Sequence, residues 1–211
     1  MKPYLTSQEE ELANAITHGL GLVSTLWFYP DLARLALLYP HPSMAFGTSI
    51  FGFGMLMTYL SSTLYHAIQV KKYKDFMQIC DHISIYFLIA GTYTPVILRY
   101  VSPEISKPFL ILLWTMVLLG SIFKVFFTRR FPWLSTGIYL FMGWMVVFLY
   151  QPLLAQMSWA VFKWILIGGL AYTLGVVFYK WHSLKYHHAI WHVFVLIGTG
   201  SHFWATYQSL T

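Results

Sequence analysis

Charge is what this sequence has least of. Asp, Glu, Lys and Arg make up 9% of its 211 residues, against roughly a quarter in an average soluble domain. With 58% of the chain hydrophobic, too little polar surface remains to cover a large soluble core. Cysteine is nearly missing as well. The single Cys80 cannot close an intrachain disulfide and carries little information about redox compartment. Beside Asp81 it reads as a small buried thiol, not a catalytic one. There is no internal repeat, and the HExxH signature of zincins is absent. No cleavable signal peptide is expected, because MKPYLTSQEEE is polar and acidic and the apolar run behind it is long enough to span. The net charge of +6 comes from basic residues scattered between apolar segments. That pattern reads as membrane topology and excludes a nucleic-acid surface.

What is present is an integral-membrane composition. Mean hydropathy is +0.61 and aromatic residues reach 19%. Several segments approach the roughly 20 residues needed to cross a bilayer. The spacing predicts an all-α protein, a single domain over 1–211 with seven transmembrane helices near 16–38, 44–66, 81–98, 108–126, 132–150, 159–179 and 188–208. Pro30 and Pro95 are expected to kink the first and third spans. Gly47, Gly52 and Gly54 predict close contacts of the second. Gln151-Pro152 is expected to end the fifth, followed by a short interfacial segment to Ser158. The lysines at 71, 72 and 74 are expected in a basic loop.

Positive charge orients the bundle. With the N-terminus inside, Lys2, Lys71, Lys72, Lys74, Lys124, Arg129, Arg130, Lys180 and Lys185 fall on the cytoplasmic side, nine in all. Arg34, Arg99, Lys107 and Lys163 fall opposite, four in all. The N-terminus is therefore expected in the cytoplasm and the C-terminus outside.

Polar side chains then converge at one depth. His66 ends the second span, Asp81 starts the third, and His188 and His192 start the seventh, all near the cytoplasmic face. Ser62 lies four residues before His66, on the same helical face. Ionisable groups in a membrane span are costly and by default suggest a functional site. A lone interfacial histidine is more often structural, and HxxxH alone is a weak signal. Three neutral imidazoles from two separate segments are more specific. His66, His188 and His192 are the candidate zinc ligands, leaving a fourth position for water. Zinc lowers the pKa of that water to about 7 and polarises a carbonyl. Asp81 is the candidate general base or ligand-orienting group. Ser62 is a candidate partner of Asp81 or of a developing oxyanion.

Other polar residues read less sharply. Glu11, Asn14 and His18 either close a network around the site or cap and anchor the first helix, two readings of equal weight. His82 and His187 point away from the ligand face. His202 lies about 21 Å above His188 by helical rise, too far to share an ion, and is expected in a packing or pore-lining role. Tyr86, Tyr93 and Thr94 are candidates to line a cavity at different heights.

Four stretches, ELANAITHG at 11–19, SSTLYH at 61–66, DHISIYFLIAGTYTP at 81–95 and HAIWHVFV at 188–195, together resemble the hemolysin III branch of the progestin and adiponectin receptor family, within the group that includes alkaline ceramidases. The resemblance covers nearly the whole chain. It implies a seven-helix protein of the bacterial inner membrane with a cytoplasmic N-terminus. It also implies a zinc site in which Ser62, His66, Asp81, His188 and His192 occupy the family positions. The activity it implies is hydrolysis of a lipid amide or ester, with a membrane lipid as substrate or ligand. The chain has almost no N-terminal domain or C-terminal tail, so hormone binding and an obligatory protein partner are not expected. The family name adds cytolysis or pore formation as an alternative, which strong topology signals argue against. A receptor-like sensor without turnover is the remaining alternative. A transporter would be expected to show paired inverted halves, which the sequence does not.

Overall fold

The computed structural model describes residues 7–128 and 130–211. Lys2 and Arg129, both counted in the charge asymmetry, lie outside the described residues. The described chain is helical, with eight α-helices and one 3-10 segment. They are α1 (Gln8–Leu38), α2 (Pro42–Ala67), α3 (Lys71–Tyr100), α4 (Pro103–Phe127), α5 (Pro132–Trp144), a 3-10 turn (Met145–Leu149), α6 (Tyr150–Gln156), α7 (Trp159–Lys180) and α8 (His187–Leu210). The α5–3-10–α6 run is one rod of membrane-spanning length.

Five helical rods are long and apolar enough to cross a bilayer: α2, α3, α4, the α5–α6 rod and α7. The chain is a multi-pass integral membrane protein. α1 and α8 have the length but not the same mean apolarity, because they carry much of the polar interior. On α1 the buried positions include Glu10, Asn14, His18, Gly21 and Thr25. Its exposed positions include Leu12, Ile16, Leu20, Val23 and Trp27. The helix is thus polar inside and apolar outside, the reverse of a soluble surface helix.

Local sequence accounts for most boundaries. α1 starts in a capping box: the Ser7 hydroxyl accepts from Glu10 N, and the Glu10 carboxylate accepts from Ser7 N. Proline sits in the first turn of α2, α4 and α5, where its missing donor costs nothing. Pro30 and Pro95 lie inside α1 and α3 without ending either helix.

Two expectations need correction. The lysines at 71, 72 and 74 are not in a loop, because α3 begins at Lys71. At 30 residues, α3 is about 45 Å long by helical rise, against a hydrocarbon core of about 30 Å. Its first turns are polar because they extend beyond that core. Pro152 likewise does not end the fifth rod. The backbone tightens to 3-10 geometry over Met145–Leu149 and restarts as α6 at Tyr150. Pro152 therefore falls in a first turn, where proline is tolerated.

That change of helix type leaves backbone groups to satisfy, and Tyr93 of α3 satisfies two. Its hydroxyl donates to Gly143 O at 2.8 Å and accepts from Val146 N at 2.8 Å.

The helices pack around two clusters. Phe51, Met55, Tyr59, Leu88 and Val195 join α2, α3 and α8. Tyr86, Ile97, Leu113, Val117 and Met142 join α3 and α4 to the α5–α6 rod. The tightest approach is α2 on α3. A Cβ at Gly47 would sit 2.9 Å from Pro95 Cα, and one at Gly54 would sit 2.9 Å from Phe87 O. Gly52 instead makes room for the Tyr29 ring of α1. All three glycines therefore serve close contacts, as expected.

Candidate metal centre

The three histidines meet. Ligand nitrogens of His66, His188 and His192 all lie within 4.8 Å of one another. Ring centroids are 5.1 Å apart for His66–His188, 5.3 Å for His66–His192 and 4.6 Å for His188–His192. His66 is 4% exposed and His192 2%. α2 brings His66 in its last turn, and α8 brings the other two in its first two turns.

The hydrogen bonds select which nitrogens face the centre. His66 Nδ1 lies 2.8 Å from Glu11 Oε2, an acceptor when ionised, so Nδ1 carries the proton. His66 Nε2 is then a lone-pair nitrogen, and it is buried without a hydrogen-bond partner. His192 Nδ1 lies 3.1 Å from the Asn14 carbonyl. A carbonyl only accepts, so this Nδ1 also carries the proton and Nε2 keeps its lone pair. Thr17 Oγ1, 3.0 Å from the same Nδ1, offers a second acceptor. A ligand histidine whose other nitrogen donates to a carboxylate or carbonyl is the usual arrangement in metal sites. The residues present therefore fit a metal ion held by three imidazoles.

α1 frames this cluster. Glu11 Oε2 also accepts from Lys74 Nζ at 3.1 Å. His18 stacks on His192, with centroids 3.5 Å apart and planes 12° from parallel. Of the two readings left open for Glu11, Asn14 and His18, the structure favours the network: all three line the chamber beside the histidines, while the helix is capped by Ser7 and Glu10. Glu9 lies outside the cluster, paired to Lys185 at 3.1 Å. The hydrogen bond from Lys185 holds the Glu9 carboxyl below its ordinary value.

A cavity of about 750 Å³, mostly apolar in its lining, opens beside the cluster. Glu11, His66, Asp81, His82, His188 and His192 line it, and it reaches His202 on α8. Asp81 is thus in the same chamber but outside the group of mutually close ligand atoms. Ser62 is fully buried, and its hydroxyl has no hydrogen-bond partner. His82 also lines the chamber, with Nδ1 2.6 Å from Gln78 O. His187 Nδ1 donates to Phe178 O at 3.2 Å. Neither His82 nor His187 belongs to the three-histidine group. His202 stacks on Tyr172, with centroids 5.7 Å apart, and combines packing with cavity lining. Tyr93 lines the cavity, whereas Tyr86 packs against Tyr139 and Thr94 is buried with its hydroxyl on Ala90 O. The partly buried Cys80 stays a free thiol.

Two participants escaped the sequence reading, and a third, Asn14, was singled out there but acts on His192 through its backbone carbonyl, which no side-chain pattern announces. Thr17 follows three residues later, and only its place near His18 could have marked it. Lys124, counted as a topology charge, is 1% exposed and lines the chamber with its ammonium 5.7 Å from the Tyr139 ring centre.

Comparison with known proteins agrees over almost the whole chain. Residues 6–203 match the family model described as Haemolysin-III related. The chain is 44% identical to a Hemolysin-3 homolog of Bacillus subtilis (strain 168), over 92% of each chain. It is 39% identical to Hemolysin-3 of Bacillus cereus, over 92% of this chain and 89% of that one. A more distant likeness, 29% identical over 95% of this chain and 84% of the other, is to the human monocyte to macrophage differentiation factor.

Proposed function

This chain belongs to the haemolysin-III-related family, and from that premise we propose that it is a zinc-dependent intramembrane hydrolase of a lipid amide or ester. The observation that carries the reading is the meeting of three histidine ligand nitrogens within 4.8 Å at the wall of a largely apolar cavity. His66, His188 and His192 would hold the ion. When bound there, zinc supplies a Lewis acid and brings the pKa of water to near 7.

The chain's own groups do the rest. Glu11 orients His66, while the Asn14 carbonyl and Thr17 orient His192. Asp81, in the same chamber, takes the proton of the attacking water and returns it to the leaving amine or alcohol. Ser62 supports Asp81 or the oxyanion that develops on the carbonyl. Water adds across the acyl C–N or C–O bond, giving a carboxylate and an amine or alcohol. The apolar walls accept an acyl chain and exclude bulk water, which strengthens each polar contact inside.

The topology proposed with this activity has seven spans, an inside N-terminus and an outside C-terminus. The polar-inside, apolar-outside pattern of α1 supports counting it as a span. So does α8, which buries His192, Thr199 and Thr206 and exposes Val193, Ile197 and Trp204.

The test combines metal analysis with turnover in purified protein. Wild type is expected to hold about one zinc per chain, lost in His188→Ala/His192→Ala. Asp81→Asn is expected to keep the zinc and lose hydrolysis. Turnover that persists after complete zinc removal would sink the mechanism. The names of the two Bacillus relatives favour a second reading, cytolysis. It predicts leakage from lipid vesicles that survives His188→Ala, and the hydrolase reading predicts none.

A further inference from the structure

The three imidazoles are not held alike. His66 is oriented by Glu11, and His192 by Asn14 and Thr17. Among the described residues the His188 ring has ring contacts, to Tyr179, His66, His187 and His192, and no hydrogen bond. Its position depends on where α8 begins and how the chain enters it.

That start is unusual. Tyr186, the residue before α8, has φ 61° and ψ 16°, the left-handed region. It is the one non-glycine residue with positive φ among the described residues. An aromatic residue there is uncommon and strained, and persists only where its surroundings hold it. The surroundings come from α1. Tyr186 N donates to Glu10 Oε1 at 3.2 Å. The Tyr186 hydroxyl donates to Glu9 Oε2 at 3.3 Å, and Lys185 Nζ donates to the same oxygen at 3.1 Å. Glu10 is itself fixed, because its other oxygen accepts from Ser7 N at 2.9 Å. Tyr186 O then accepts the first-turn bond from Ile190 N at 3.0 Å. His188 sits two residues past this clasp.

We propose that Glu10, through the left-handed backbone of Tyr186, is the positioning residue for His188. The first turns of α1 would then set all three ligands: Glu11 for His66, Asn14 and Thr17 for His192, and Glu10 for His188. The proposal rests on the metal-site reading above and adds a part to it. Glu10 touches neither ion nor substrate. It acts by fixing the backbone from which His188 projects.

The test uses the purified full chain with Co²⁺ and Zn²⁺ as probes. It compares wild type, Glu10→Ala, Tyr186→Val and Tyr186→Gly. Valine resists positive φ, whereas glycine accepts it freely, and both remove the same ring and hydroxyl. Affinity is read by competition with a chelator, ligand geometry by the visible absorption of bound Co²⁺, and folding by thermal unfolding in detergent. Glu10→Ala and Tyr186→Val are expected to weaken metal binding by about 10–100-fold, the range for groups that orient ligands, and to alter the Co²⁺ spectrum. Tyr186→Gly is expected to stay close to wild type in both. If Glu10→Ala fails to fold, the valine–glycine pair decides alone. Wild-type affinity and spectrum in Tyr186→Val would overturn the clasp while leaving the metal centre standing. A wild type that binds neither ion would overturn both.

Discussion

At the scale of single residues, two of the three candidate ligands, His66 and His192, have their second nitrogens spoken for. Glu11 is the plainest case, because it contacts His66 Nδ1 at 2.8 Å and Lys74 Nζ at 3.1 Å. Glu11→Ala removes the acceptor that fixes the His66 tautomer and leaves the Lys74 ammonium without this carboxylate. Metal affinity is expected to fall by about 10–100-fold with one ion per chain still bound at saturation, checked by chelator competition. The histidine trio was legible in the sequence: two histidines at helical spacing, and a third at the same predicted depth. What orients them was not. His192 Nδ1–H donates to a main-chain carbonyl, and every residue has one of those. Glu9, Glu10 and Glu11 form one acidic run in the sequence. Only packing sends them to Lys185, to Tyr186 and to His66.

At the scale of elements, the α2–α3 pair carries the closest backbone approach, and it spaces His66 relative to Asp81. Gly47→Ala would place a methyl 2.9 Å from Pro95 Cα, a backbone atom that cannot swing aside. It is expected to destabilise the protein by about 1–3 kcal/mol, the usual cost of overpacking. Gly137→Ala, where an added Cβ meets nothing within 4 Å, is expected to be neutral or to stabilise by up to about 1 kcal/mol through helix propensity. Thermal unfolding of the two variants in one detergent separates them. Helix existence was readable from apolar runs, and Gly47, Gly52 and Gly54 from their clustering. Helix length was not, because the lysines at the start of α3 are what a loop would also contain. The restart at Tyr150 was hidden too. A proline reads as a stop unless a 3-10 turn places it at a new beginning.

At the scale of the whole molecule, the cavity joins the histidine cluster to the level of His202. Gly169 lines it and has open space around its missing side chain. Gly169→Phe is expected to lower hydrolysis of long acyl chains more than of short ones, by about tenfold or more, while metal content stays at the wild-type level. Turnover across a chain-length series checks this. The membrane class was legible from scarce charge and long apolar runs, and the cavity only in part: Tyr93 and His202 line it, whereas Tyr86 and Thr94 do not, since its walls come from most of the bundle. Its neighbour Tyr93 has a bearing on biogenesis. The α5–α6 rod cannot close its own backbone hydrogen bonds where the helix type changes, and bare peptide groups are not tolerated in lipid. Its partner hydroxyl sits on α3, which leaves the ribosome first. Synthesis therefore delivers the Tyr93 hydroxyl before the rod whose open backbone groups it closes.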